Sequence, residues 1–399
     1  MSKILQPIPP EPSPSRRRYL RAAATAVAAP PLSVAAGVLG NRPVPPAFDA
    51  DALAELDRLQ KPLPPGEAPS RIEPPFEGWG SGTLPPADGK DRPFHFGFIG
   101  DTPYNRLDEQ GLRRVMQGLD DTELDFVLHV GDIKSRGESC SDALLLDRLE
   151  MLDRSRNPLV YTPGDNEWTD CGWEDSYNPY QSGTPLDRLH WLRSQVYNRP
   201  ESLGSRRMRV EQQRQFIPNL SVRESNRQDQ PRLPENMRWR IGSLQFCTIH
   251  VVGSNNGMFK TPMMREAWAL RQQANAIWLA ETAVLARRHG AKGLVIATHA
   301  NMRFEKDLND GWNATRQAII SVAADFDGPV ALLHGDTHIF RTDRLLLQSH
   351  GLDNFTRVEC FGSPFTWQWV TIRWNPEAAR HRAPDPDLGP AFKVYTHHA

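Results

Sequence analysis

From Phe94 onward, short apolar runs alternate with amphipathic stretches along the chain. Runs of four to eight apolar residues bounded by Gly, Asp or Pro predict strands, and apolar positions recurring at three and four residues predict helices. The pattern predicts strands over Phe94–Ile99, Asp125–Val130 and Leu159–Thr162, with helices over Leu107–Leu119 and Ala143–Leu152 between them. Farther on, Arg238–Val252 reads as a strand or hairpin, Glu266–Arg288 as a long helix and Leu294–Thr298 as a strand. A helix over Thr315–Ala324, a strand over Val330–Leu333 and closing strands over Val358–Phe361 and Thr366–Trp374 complete the set. Strand-helix alternation predicts an α/β fold with a mainly parallel, buried sheet. Arg199–Pro234 is polar and weakly periodic, which predicts a long loop or insertion.

The first 93 residues differ. Ser15-Arg16-Arg17-Arg18-Tyr19-Leu20-Arg21 precedes an Ala-rich, mildly apolar stretch from Ala22 to Leu39. This order matches an export signal over 1–40 and resembles the twin-arginine (Tat) type. The alternative is a basic N-terminus with an Ala-rich helix. Pro30 and Pro31 interrupt the stretch, so no stable membrane span is expected. Residues 41–93 are rich in Pro and Gly and read as a linker or surface strap. The main folded domain is expected over 94–375, with 376–399 as a C-terminal tail.

Composition adds little beyond this. The 399 residues carry a net charge of about −1, so bulk charge makes no case for nucleic acid or an anionic membrane. The four cysteines lack Cys-x-x-Cys spacing, which argues against a zinc-thiolate site. Cys140 and Cys171 each follow a Gly-Asp motif, in loops expected to be neighbours, and can form a disulfide in an oxidising compartment. Cys247 and Cys360 lie in apolar runs and read as buried thiols.

The chemistry lies where apolar strands end. Four Gly-Asp pairs, Gly100-Asp101, Gly131-Asp132, Gly164-Asp165 and Gly335-Asp336, follow strand-like runs. Thr298-His299-Ala300-Asn301 and His334-Gly335-Asp336-Thr337-His338 do the same. In a parallel sheet these ends share one rim, where ligands bind. Converging carboxylates repel unless a cation lies between them, and carboxylate with imidazole suits Mn, Fe, Zn or Mg.

In order, Gly-Asp-Thr-Pro, Gly-Asp-Ile-Lys, Gly-Asp-Asn-Glu, Thr-His-Ala-Asn and Gly-Asp-Thr-His resemble the five motifs of the calcineurin-like metallophosphoesterase superfamily. The resemblance spans 94–375 and implies a β-sandwich flanked by α-helices, with a two-metal site at the C-terminal strand ends. It implies that Asp132 bridges both metals, that Asp101 and His338 hold the first, and that Asp165, His299 and Asp336 hold the second. It further implies phosphoester hydrolysis by a metal-held hydroxide attacking phosphorus in line. The chain departs from the motifs in four places. Pro103 replaces the first-motif His, a gap that Tyr104 or a water can fill. Asp165 replaces an Asn, and Asp336 replaces a His. Asn166 stands where the superfamily often has a His acid, and Asn cannot donate a proton. His334 is the candidate replacement acid, and Lys134 and Asn166 are candidate phosphate contacts. A small-molecule phosphoester and the Tat machinery are the expected partners, and an exported protein, periplasmic or secreted, the expected outcome. A metal-dependent binder of a phosphorylated ligand without turnover is the competing function. A zinc peptidase would need a His-Glu-x-x-His helix, which the chain lacks.

Overall fold

The computed structural model describes residues 91–171, 184–213, 233–258, 261–306, 310–380 and 382–399. The signal-like segment and nearly all of the Pro-rich strap lie outside them.

Two sheets carry the fold. The first has five strands in the order β12-β11-β1-β2-β3, with β1 Phe94–Ile99, β2 Val127–His129, β3 Leu159–Tyr161, β11 Gln368–Trp374 and β12 Phe392–His398. The second has seven in the order β4-β5-β6-β7-β8-β10-β9. Its strands are β4 Glu211–Gln213, β5 Leu233–Ile241, β6 Leu244–Thr248, β7 Gly293–Ala297, β8 Val330–His334, β9 Arg341–Asp343 and β10 Phe355–Glu359. The sheets are mixed, which corrects the expectation of a mainly parallel sheet. β1, β2 and β3 run parallel, as do β6, β7, β8 and β10, while the outer strands pair antiparallel.

Side-chain alternation places the core. Phe96 and Phe98 of β1 share one cluster with Phe246 of β6, Val295 and Ala297 of β7, and Ala331 and Leu333 of β8. These residues close the two sheets face to face. Phe96 stacks on Phe126 at 5.0 Å and meets Phe246 edge-on at 5.4 Å. The alternate positions, Leu294, Ile296, Val330 and Leu332, join Trp278, Leu279, Ile319 and Val322 on the other face. Helices α4 (Pro262–Arg288) and α5 (Asn313–Asp325) supply those partners. The first sheet is covered by α1 (Arg106–Asp121) and α2 (Asp142–Asp153). Helix α1 buries Leu112, Val115, Met116 and Leu119, a spacing of three and four that makes one apolar stripe. Each buried aliphatic or aromatic side chain of this kind contributes about 1.5–3 kcal/mol.

Some edge strands and helices were not expected. The segment 376–399, read as a tail, supplies β12, which pairs with β11 from Phe392 to His398. The described part of the 199–234 segment supplies β4 on the edge of the second sheet. Its basic stretch packs locally: Arg206 donates to Asn157 Oδ1 at 2.6 Å and Arg207 to Asp153 Oδ2 at 3.0 Å. Helix α3 (Pro185–Val196) starts at a capping box between Thr184 and Asp187.

Candidate metal centre

Parallel strands β1, β2 and β3 end beside one another, as do β7 and β8 in the facing sheet. The loops leaving these five ends carry every predicted ligand. Cross-loop bonds lock them together. Asp101 N donates to Gly131 O at 2.9 Å, and Gly335 N donates to His299 O at 2.9 Å. Asp336 N donates to both Asp101 carboxylate oxygens, at 3.1 and 3.0 Å.

The turns are tight enough to force unusual backbone. Asp101, Asp132, Asp336 and His338 have φ of 53°, 56°, 80° and 63°. Left-handed conformations in non-glycine residues concentrate at functional sites, each at a cost of about 1–3 kcal/mol. Gly131, at φ 94°, must be glycine for a second reason: a side-chain carbon there would collide with the Gly164 backbone. The second and third motifs therefore touch through their main chains.

Two groups of donors result. Asp101, Asp132 and His299 offer atoms within 4.8 Å of one another, and so do Asp165, His299 and Asp336. His299 Nε2 lies 3.0 Å from Asp165 Oδ1, 3.5 Å from Asp132 Oδ1 and 4.0 Å from Asp336 Oδ1. His338 Nε2 lies 3.7 Å from Asp101 Oδ1. Both imidazoles are oriented from behind: His299 Nδ1 meets Val130 O at 2.8 Å, and His338 Nδ1 meets Ser363 O at 2.7 Å. An Nδ1–H donated to a carbonyl leaves the Nε2 lone pair for a cation.

The electrostatics ask for positive charge. Burial and the Asp336 charge push the Asp101 carboxyl up to about 8, against the pull of His299. Burial and the Asp165 charge push Asp336 up to about 6. Asp132 is raised by burial and by Asp165, Glu167 and Asp101. Burial opposes the His299 charge, yet Asp132, Asp165 and Asp101 hold its proton well above the ordinary range. Four carboxylates and two imidazoles converging in this way make a donor set that fits two hard or borderline cations.

Asn166 belongs to the cluster. Its backbone N donates to Asp132 Oδ1 at 3.0 Å, and Nδ2 donates to Asp132 Oδ2 at 2.6 Å. Lys134 is placed differently from expectation. Its side chain is fully buried and its ammonium donates to Ser135 O at 2.8 Å, so it neutralises the loop from inside. His334 is buried, its Nδ1 meets Gly335 O at 2.9 Å, and burial pulls its pKa down to about 3.

Glu167 joins the motifs. Its Oε1 accepts from Tyr161 Oη at 2.7 Å, Gly164 N at 3.1 Å and Ile133 N at 3.4 Å. Cys140 and Cys171 form the expected disulfide, with Cα atoms 5.9 Å apart and sulfurs 4.0 and 3.7 Å from Asn166 O. Cys247 and Cys360 are buried thiols, and Cys360 Sγ lies 3.8 Å from Asp101 Oδ2. Trp168 packs on His250 at 5.2 Å, inside a small apolar cluster; Trp173, Tyr177 and Tyr180 lie outside the described residues.

One contributor was missed. Ser254 Oγ donates to Asp165 Oδ2 at 2.7 Å and Asp170 Oδ1 at 3.1 Å. At Gly253 a side-chain carbon would lie 2.6 Å from Asp165 Oδ1 and 2.8 Å from Asp336 Oδ1. The signal was present: Gly253-Ser254-Asn255-Asn256-Gly257 is a small, polar run directly after an apolar strand, as in the other motifs.

Residues 94–340, more than half of the chain, match the calcineurin-like phosphoesterase family. The chain belongs to that family. Its members hold a dinuclear metal centre, and the donor groups described above stand where such a centre is required. The chain has a two-sheet α/β fold of the family type with candidate metal ligands at strand ends, and the family's chemistry is metal-dependent phosphoester hydrolysis. Similar solved structures include PhoD, 13% identical over 79% of this chain and 72% of PhoD, with a TM-score of 0.45. A phosphatase from Mycoplasma pneumoniae is 9% identical over 78% of this chain and 94% of its own, with a TM-score of 0.37. GAP50, the anchor in the inner membrane complex of Plasmodium, is 10% identical over 77% of this chain and 88% of its own, with a TM-score of 0.40. No curated protein matches the sequence. No helix among the described residues is long and apolar enough to cross a membrane.

Proposed function

We propose that the chain hydrolyses small-molecule phosphoesters at a two-cation centre, with Asp132 shared between the cations. Asp101 and His338 would hold the first cation, and Asp165, His299 and Asp336 the second. The observation that carries this reading is the pair of donor groups that share His299, whose Nε2 lies 3.5 Å from Asp132 Oδ1 in one group and 3.0 Å from Asp165 Oδ1 in the other. Bound cations would supply an activated water and neutralise phosphoryl charge.

The chain's own groups do the rest. The Val130 and Ser363 carbonyls aim the two imidazoles. Asn166 holds Asp132 through both its backbone and its amide, and Ser254 holds Asp165. Asn166, at the place of the His acid, carries no transferable proton. Departure of the leaving oxygen would then lean more on the cations and on the leaving group's own stability.

The missing acid also favours a second reading, a metal-dependent binder of phosphorylated ligands. One experiment separates the two. Protein loaded with Mn, Fe, Zn or Mg is assayed on p-nitrophenyl phosphate and on bis(p-nitrophenyl) phosphate, which also distinguishes monoester from diester cleavage. Asp132→Asn should abolish turnover while the fold persists. Wild-type turnover in that variant would sink the assignment, and ligand binding without turnover in the parent would select the binder.

We further propose export by the Tat route, which delivers folded protein to the periplasm or beyond. The Cys140–Cys171 disulfide supports an oxidising destination. Replacing Arg16 and Arg17 by Lys should retain the protein inside the cell; unchanged export would refute the route.

A further inference from the structure

The candidate centre opens to solvent on one side. The side chains of Asp101, Asp132, Asp165 and His299 are at most 10% exposed, whereas those of Asp336 and His338 are 25% exposed. A substrate therefore reaches the centre past the turn that carries Asp336 and His338.

The loops around His338 present apolar side chains to that opening. The three most exposed large apolar residues among the described ones are Leu107, Ile339 and Phe365, at 62%, 60% and 51%. Isolated apolar residues on a surface are ordinary. These three instead flank one predicted ligand. Ile339 follows His338 directly. Phe365 N donates to Gly362 O at 2.7 Å, and a side-chain carbon at Gly362 would lie 3.0 Å from His338 Cγ. Leu107 lies in the first turn of α1, four residues before Gly111 and so on the same helix face. A side-chain carbon at Gly111 would lie 2.6 Å from Thr366 Oγ1, beside Phe365. Just before that turn the Tyr104 ring meets His338 edge-on, with centroids 5.1 Å apart. Phe340 and Phe361, both half-buried, stack at 4.9 Å and join these loops to the core. The second-cation side is polar by contrast, with Ser254 and Asn301 bonded to its carboxylates.

We infer that Leu107, Ile339 and Phe365 form a collar that binds an apolar organic group of the substrate, so that the substrate class is a phosphoester carrying a hydrocarbon chain or ring. This deepens the two-cation reading and rests on it. With phosphate at the cations, the organic group leaves the centre by its open side, beside His338, and meets the three side chains. Covering them with hydrocarbon removes apolar surface from water on both partners. None of the three has a side-chain donor or acceptor, so the collar has nothing with which to orient a sugar or an amine.

The test uses the full chain loaded with manganese and titrated by calorimetry with methyl-, butyl- and hexylphosphonate, which bind without being hydrolysed. A methylene half-covered by the collar should gain roughly twofold in affinity, so hexylphosphonate should bind roughly thirtyfold more tightly than methylphosphonate. Combining Leu107→Ser, Ile339→Ser and Phe365→Ser should abolish that gain with an unchanged circular dichroism spectrum, and Phe365→Ser alone should cut it roughly threefold. Leu388→Ser, at another exposed apolar position, should keep it. Affinity independent of chain length in the parent, with methylphosphonate bound, would overturn the collar and leave the two-cation reading standing. A gain that survives in the triple variant would do the same. Sedimentation of the parent but not the triple variant with phosphatidylglycerol vesicles, without a chain-length gain, would make the three residues a membrane contact and overturn their substrate role. No binding of any phosphonate by the loaded protein would overturn the two-cation reading and the collar with it.

Discussion

Glu167→Ala removes a buried side chain that accepts hydrogen bonds from the second motif, the third motif and the strand before it. Glu167 is fully buried, and its Oε1 accepts from Tyr161 Oη, Gly164 N and Ile133 N at 2.7, 3.1 and 3.4 Å. Truncation leaves three donors in the interior with no partner. A buried donor left unsatisfied costs about 1–3 kcal/mol. The long Ile133 bond counts least, and the cavity adds to the loss, so the expected destabilisation is roughly 3–6 kcal/mol. Glu167→Gln keeps an oxygen at the same place and should cost only about 1–2 kcal/mol. Urea unfolding of the metal-free protein, followed by circular dichroism, measures both. Ile133 adjoins Asp132 and Gly164 adjoins Asp165, so the same truncation should lower metal affinity roughly 10–100-fold by calorimetry. An Ala variant within about 1 kcal/mol of the parent, with unchanged metal affinity, would refute the view that Glu167 couples the two motifs.

The pH dependence of metal stabilisation has a definite sign. Asp101 and Asp336 are raised to about 8 and about 6 from an ordinary value near 3.8, so the metal-free fold keeps their protons at pH values where the unfolded chain has lost them. Their contribution to metal-free stability is present below about pH 4 and fades as pH rises through 6 to 8. A cation must displace those protons, so the rise in Tm produced by added manganese should grow from pH 5.5 to pH 8; a pH-independent rise would contradict it. Cutting the disulfide with the Cys140→Ser, Cys171→Ser double variant opens a link spanning 31 residues and should cost about 3–4 kcal/mol, read by chemical unfolding. Both sulfurs pack on Asn166 O, so the same variant should also bind metal more weakly, and an effect on stability alone would show that the Asn166 loop holds without the bridge.

The fold was legible where packing repeats along the chain. Helix α1 and the parallel strands β1, β7 and β8 bury a regular set of side chains, and the apolar periodicity marks each within a residue or two. Edge strands left no such trace. Strand β9 is Arg-Thr-Asp and β4 is Glu-Gln-Gln, and each is a strand only because a partner from elsewhere supplies its hydrogen bonds. Strand β12 alternates, but its polar faces and its place near the C-terminus made it read as a tail. Helix α3 had a readable start at Thr184-Pro185-Leu186-Asp187, a capping signal that went unused because the apolar stripe after it is weak.

The site divides along the same physical line. A motif reports which side chains leave a strand end, since that is local; it does not report which side chains from distant loops meet them. Asp101, Asp132, Asp165, His299, Asp336 and His338 were identifiable for the first reason. The burial of Lys134 and His334 and the anchoring of Tyr104 were not, for the second: Tyr104 meets Asp132, His338 and Asn166 across 28, 234 and 62 residues. The backbone adds a further consequence. Four of the six ligand positions hold left-handed φ values, and their carboxylates repel one another inside the protein. Both effects oppose folding of this rim. A cation among the carboxylates removes the repulsion and bonds to side chains already aimed at it. Metal binding and the local folding of this rim are therefore one equilibrium, because the ligand geometry costs free energy that coordination returns.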